Sequence, residues 1–209
     1  MNSRSVLLVI GAGVLLSLAC ARRPLVQVPP RVELGAFDLI GVVEFSSESR
    51  GTLASFATRR FIESLQESQP GVRVLEVGTA DEIARALNLD DMNYQTVRAI
   101  GEHYGVGAVV LGALDVQDVK PRLDLQHMLT TASVSADVTA SLTTRLMETT
   151  RGATAWTRTT RTTSTIAHVG VGKGAVVFDA QDPDRAYGTM VDALVVDLTQ
   201  DFRVSWVRQ

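Results

Sequence analysis

The stretch Ala132-Ser-Val-Ser-Ala-Asp-Val-Thr-Ala-Ser-Leu-Thr-Thr-Arg-Leu146 keeps a period of two along its whole length. Ala132, Val134, Ala136, Val138, Ala140, Leu142 and Leu146 fall on one side; Ser133, Ser135, Asp137, Thr139, Ser141, Thr143 and Arg145 fall on the other. Successive strand side chains point to opposite faces, so the pattern predicts a long strand with one face on a core and one in water. Downstream, Thr149-Thr-Arg-Gly152 has turn composition, and the run Thr154–Thr165 combines high β-propensity with little apolar surface. It is expected to be a solvated antiparallel partner.

Upstream the pattern changes. Ala108–Val119 (AVVLGALDVQDV) is apolar at first and alternating later, a third strand. Tyr94–Tyr104 places Val97, Ile100 and Tyr104 at helical spacing, and Gly105 is a suitable C-terminal cap. Thr79-Ala-Asp-Glu82 is a capping box opening a short helix to Leu87. Before it stand a strand over Val72–Val77, a helix over Thr52–Ser68 with Leu53, Phe56, Ala57, Phe61 and Leu65 on one face, and a central strand in Phe37–Phe45. At the other end, residues 167–181 are Gly-rich and read as a loop. Asp182 and Pro183 then start an amphipathic helix of about five turns, reaching Phe202. The order β-α-β-α-α-β-β-β-α predicts an α/β (α+β) fold: a mixed sheet with helices packed on it, in one domain.

The first residues set the compartment. Arg4 precedes the apolar run Val6–Leu16, and Leu16-Ser-Leu-Ala-Cys20 follows. That core is shorter than the roughly 20 residues of a bilayer-spanning helix and matches a secretory leader. The stretch ending in Cys20 resembles the bacterial lipobox, which implies cleavage after residue 19 and acylation of Cys20. Cys20 is the only cysteine, so an intrachain disulfide is impossible. Ala21 replaces the Asp that the enteric sorting pattern uses for inner-membrane retention, implying the outer membrane, facing the periplasm. The expected organisation is a signal peptide over 1–19, a lipidated, Pro-containing tether over 20–36, and a folded domain over 37–209.

Composition excludes several classes. The formal charge is −3, no cluster of Lys and Arg forms a basic stripe, and aromatic residues are 5% of the chain. Nucleic acid is therefore not an expected partner. The three histidines, His103, His127 and His168, stand in no HExxH spacing and beside no paired acid, so no metal or cofactor is expected. Asp90-Asp91 reads as a solvated helix flank. Val9-Ile-Gly-Ala-Gly13 lacks the third glycine of a dinucleotide loop and lies in the leader. Gly172-Lys173 imitates a phosphate loop, but Ala167 stands where the first glycine belongs and Gly174 where the hydroxyl belongs. No Gly-x-Ser-x-Gly elbow occurs. No catalytic residue is expected.

Three segments together carry a resemblance: GVVEF…TLASFATRRFIESL; Gly105-Val-Gly-Ala-Val-Val-Leu-Gly112; and LTTRLMETTRGATAWTRT with Gly152 and Trp156. Over residues 38–203 this resembles the α/β domain of CsgG-type secretion lipoproteins, the TolB N-terminal domain and lipoprotein activators of penicillin-binding proteins. The resemblance implies a non-enzymatic, membrane-anchored accessory of an envelope complex, with a subunit of an oligomeric CsgG-like secretion or assembly ring as the alternative and an enzyme of unknown type as the third reading. Pore-forming members add barrel hairpins, which need an alternating apolar row of about 9–11 residues. Thr157–Phe178 lacks one. Two placements of side chains follow. Trp156 is expected to anchor the sheet near Gly152. Arg203, Trp206 and Arg208, in Phe202-Arg-Val-Ser-Trp-Val-Arg-Gln209, combine residue types that concentrate binding energy and are expected to meet a protein partner or a second copy.

Overall fold

Four consecutive buried residues, Ile40–Val43 (β1), run through the middle of the sheet. A strand is buried on both faces only when material packs above and below it. The computed structural model describes residues 25–89, 92–122, 135–167, 170–172, 175–178 and 183–208. Its central sheet comprises β1, Val74–Gly78 (β2), Ala108–Arg122 (β3), Ser135–Glu148 (β4) and Thr154–Ala167 (β5), in the order β2-β1-β3-β4-β5, with the two-residue strand Ser46–Ser47 also paired in parallel with β3. β1 is parallel to β2 and β3, whereas the β3–β4 and β4–β5 pairs are antiparallel. The expected mixed α/β fold is the one found.

Four α-helices accompany the sheet among the described residues: Leu53–Ser68 (α1), Ala80–Leu87 (α2), Tyr94–Tyr104 (α3) and Thr189–Leu198 (α4). On one face α2 and α3 pack against the parallel strands through Val43, Val77, Ile83, Val97, Ile100 and Val109. On the other, α1 and α4 cover the sheet as far as β5, through Phe45, Phe61, Leu142, Leu146, Leu194 and Trp156. The buried side of β4 reads Ala136, Val138, Ala140, Leu142, Thr144 and Leu146, continuing the alternation. Ala132 and Val134 lie outside the described residues.

Local signals act where the sequence places them. Thr79 and Glu82 cap reciprocally: Thr79 N–H donates to Glu82 Oε2 at 2.9 Å and Glu82 N–H donates to Thr79 Oγ1 at 3.3 Å. Gly105 ends α3 at φ +69°, in the left-handed region that glycine adopts without steric cost.

Several expectations are corrected. Leu34, assigned to the tether, is fully buried in a short 3₁₀ turn (Leu34–Ala36), with its N–H held by Gln69 Oε1 at 2.8 Å. The body thus starts at Arg31 rather than Phe37 and closes at Arg203. Within the Gly-rich region, Gly170–Gly172 and Ala175–Phe178 are strands, and the second pairs in parallel with Arg50–Gly51. Glycine does not prevent backbone pairing, and Ala175-Val-Val-Phe178 has β-forming composition.

The five-turn helix is broken into a π-turn over Asp184–Gly188, then α4, then a 3₁₀ turn over Thr199–Phe202. Gly188 weakens the first junction. Thr199 Oγ1, donating to Val195 O at 2.8 Å, occupies a carbonyl at the second. Asp182 lies outside the described residues.

Residues 25–30 and 204–208 belong to a second unit. Leu25–Val28 and Ser205–Arg208 pair antiparallel, with Leu25 opposite Arg208 and Gln27 opposite Trp206.

Candidate functional site

Among the described residues no helix packs on the outer faces of β4 and β5. Along β5 the odd positions Thr157, Thr159, Arg161, Thr163 and Thr165 are exposed, while Trp156, Thr160 and Ile166 are buried. The solvated partner strand is therefore wet on one side only. Across the pair, Thr139 and Thr163 are directly opposed with their hydroxyls 2.9 Å apart, as are Thr143 and Thr159. Thr165 Oγ1 donates to Asp137 Oδ1 at 2.7 Å, and Arg161 donates to Gln117 on β3. The result is a sheet surface of small hydroxyls with sparse charges of both signs.

Below it, on the covered side, Trp156 is buried on the edge strand β5 and faces the C-terminal turn. Its ring lies 4.7 Å from that of Phe202, and Nε1 donates to Asp201 Oδ2 at 3.0 Å. Arg158 reaches the same oxygen at 3.1 Å and donates to Asp197 Oδ1 at 2.9 Å, while Arg31 donates to Asp201 Oδ1 at 3.2 Å. Burial tends to raise the Asp201 carboxyl, but the donated hydrogen bonds and the two guanidinium charges outweigh it, and the pKa lies below the ordinary aspartate value. This cluster ties β5 to the last turn of the body.

The three residues expected to form one contact divide between the units. Arg203 is half-buried in the body, donating to Ser64 Oγ at 3.1 Å, Thr199 Oγ1 at 3.2 Å and Ser68 Oγ at 3.3 Å. Its guanidinium holds the 3₁₀ turn on α1. Trp206 is 61% exposed on the ribbon, and the backbone of Arg208 pairs with Leu25. No sequence pattern announced Arg203's role, because all three acceptors are hydroxyls scattered along the chain.

A groove of about 460 Å³ is lined by Arg98, Gly101, Glu102, Gly105 and Thr149. Its buried hydroxyl, on Thr149, is taken up by the carbonyls of Val106 and Gly107 at 2.8 and 2.9 Å. His103 is exposed and stacks edge-on with Tyr104; His127, His168, Asp90, Asp91 and Cys20 lie outside the described residues. Among the described residues no group of three or more His, Cys, Asp or Glu could hold a metal, and no helix is long and apolar enough to cross a membrane.

No family model matches the sequence, and no curated protein matches it. Among solved structures the chain is similar to the PelC dodecamer from Paraburkholderia phytofirmans, at 14% identity and a TM-score of 0.49, covering 89% of this chain and 99% of that one. It is also similar to the LpoB C-terminal domain from Salmonella enterica, at 14% identity and a TM-score of 0.40, over 65% and 84% of the two chains. Lipoprotein GNA1162 from Neisseria meningitidis matches at 14% identity and a TM-score of 0.39, over 77% and 97%.

Proposed function

We propose that this protein is a non-enzymatic lipoprotein of the bacterial envelope, acylated at Cys20, held at the outer membrane facing the periplasm, and acting as a binding or assembly accessory of an envelope complex. The observation that carries the reading is the leader: Arg4, the short apolar core and Leu16-Ser-Leu-Ala-Cys20 occur together, in that order. What the body adds is a surface. The hydroxyl face of β4 and β5 is broad, nearly uncharged and uncovered by helices, and suits a protein partner better than a small substrate, which needs a concave site. Fatty-acid labelling of cells expressing the full chain tests the anchor. Label in the parent and none in Cys20→Ser is expected; equal label in both would refute it.

A second reading, a subunit of an oligomeric assembly ring, has one observation in its favour. Among the described residues β5 pairs only with β4, so its other edge has no strand partner along fourteen residues. An unpaired edge of that length is a template for strand addition from a neighbouring chain. Mass measurement on the detergent-solubilised protein separates the two readings: a ring gives many copies of this chain, an accessory gives one copy with or without other proteins.

A further inference from the structure

We propose that the ribbon formed by Leu25–Val28 and Ser205–Arg208 is an interfacial membrane contact, lying on an anionic phospholipid surface with Leu25 and Trp206 at the boundary between headgroups and acyl chains. The proposal rests on the assignment of Cys20 as the lipid-bearing residue.

The ribbon is where the described fold leaves apolar surface uncovered. Leu25 is 57% exposed and Trp206 61%; among the described residues the other comparably exposed large hydrophobics are Val28 and Val207 on the ribbon's opposite side, the adjoining Val204, Tyr94 and Val196. A two-stranded ribbon four residues long is marginal in water by itself, so a surface that takes up these side chains also stabilises the pairing.

The register gives the ribbon a distinct face. Opposed residues of an antiparallel pair share a side, which groups Leu25, Gln27 and Trp206. An indole and an aliphatic side chain set beside an amide match the composition of the interfacial zone of a bilayer, where apolar and hydrated groups meet.

Charge points the same way. Every one of the 23 acidic residues lies between Glu33 and Asp201. The ribbon and the residues leading to it from Cys20 carry Arg22, Arg23 and Arg208 and no carboxylate, within a chain of net charge −3. A basic segment in an acidic protein is drawn to anionic headgroups. Distance permits the contact: Leu25 stands five positions after Cys20, a span of at most about 17 Å. A lipid chain and a second weak contact together give firmer attachment than either alone.

The test uses the full mature chain extracted from membranes, with its intact mass reporting acylation. The chain is reconstituted into phosphatidylglycerol-containing vesicles whose acyl chains are brominated near the headgroup, so that only interfacial tryptophans are quenched. The protein has two tryptophans, and Trp156 is buried. The parent is expected to lose the Trp206 share of its emission, and Trp206→Phe to lose none. An acylated chain that is not quenched, or is quenched equally in the variant, overturns the proposal.

In a second arm the unacylated Cys20→Ser chain is sedimented with preformed vesicles. Binding to phosphatidylglycerol but not to pure phosphatidylcholine is expected, with Arg208→Gln weakening it roughly fivefold. Absence of binding in this arm, with acylation intact in the first, overturns the ribbon and leaves the anchor standing. An unacylated Cys20 overturns the anchor, and the second arm then decides the ribbon alone. A protein that co-purifies through Trp206, with no quenching, would identify a protein contact in place of the bilayer.

Discussion

The two halves of the central sheet solve the same packing problem differently. In the parallel half, β1 buries four residues in succession; in the antiparallel half, β5 buries no two adjacent residues among those described. Connectivity is the cause. Parallel neighbours must be joined by crossovers, and α1, α2 and α3 lie in the connections that return the chain from β1 to β2 and from β2 to β3. β4 and β5 are joined by a tight turn at Thr149–Ala153, which brings nothing to cover the second face. The parallel half is a core element on both sides, and the antiparallel half is a core on one side and a surface on the other.

The largest test of this contrast is Trp156→Ala. It removes the main apolar contact of β5 with the C-terminal turn and strands Asp201 beside two arginines. A loss of about 3–5 kcal/mol is expected, read from chemical denaturation. Next, Leu142→Ala on the covered face of β4 and Ile100→Ala between α3 and the parallel strands, both fully buried, should each cost about 2–5 kcal/mol. Similar losses would show that one covered face holds β4 as firmly as two hold the parallel strands. A much smaller loss at Leu142 would mean that the antiparallel half is loosely packed.

Asp201→Asn should destabilise by about 1.5–3 kcal/mol at neutral pH, since hydrogen bonds to a charged acceptor are lost. The Asp201 pKa is lowered by folding, so its contribution is complete above the unfolded value of about 3.9 and disappears as pH falls through the folded value. Melting curves of parent and variant should therefore converge in acid; a gap that persists there would exclude the carboxylate as the cause.

The smallest effects come from two neighbouring residues. Thr144 is fully buried and its hydroxyl has no partner among the described residues, so Thr144→Val should stabilise by about 1 kcal/mol. Thr143, one residue away on the wet face, should tolerate the same change within about 0.5 kcal/mol. If both substitutions destabilise alike, the two faces are not as different as their burial indicates.

How much of this was legible depended on whether the signal was local. The alternation of β4, the Thr79–Glu82 box and the Gly105 cap are written in consecutive residues, because each arises from neighbours in the chain. The pairing of Ala175–Phe178 with Arg50–Gly51, and of Leu25–Val28 with Ser205–Arg208, joins segments at opposite ends of the sequence through backbone atoms, which carry no residue code. The same holds for side chains. Trp156 was identifiable as an anchor by its size and position, but its acceptor Asp201 was not. Trp206 was noticed for its composition, and Arg203 beside it gave no sign that Ser64, Ser68 and Thr199 would hold it. Leu34 was hidden by the prolines that precede it, which suited an extended tether.

The opposed threonine pairs on the wet face have a consequence for association. Threonine is β-branched and stiff about χ1, and in the pairs Thr139–Thr163 and Thr143–Thr159 each hydroxyl also fixes the other. A partner settling on a face of lysines or glutamines must immobilise each long side chain, at about 0.5–1.5 kcal/mol of lost rotamer entropy apiece. On this face most of that ordering has already occurred during folding. Even a contact with modest attraction per residue can therefore be retained here, because little motion remains to be surrendered when the two surfaces meet.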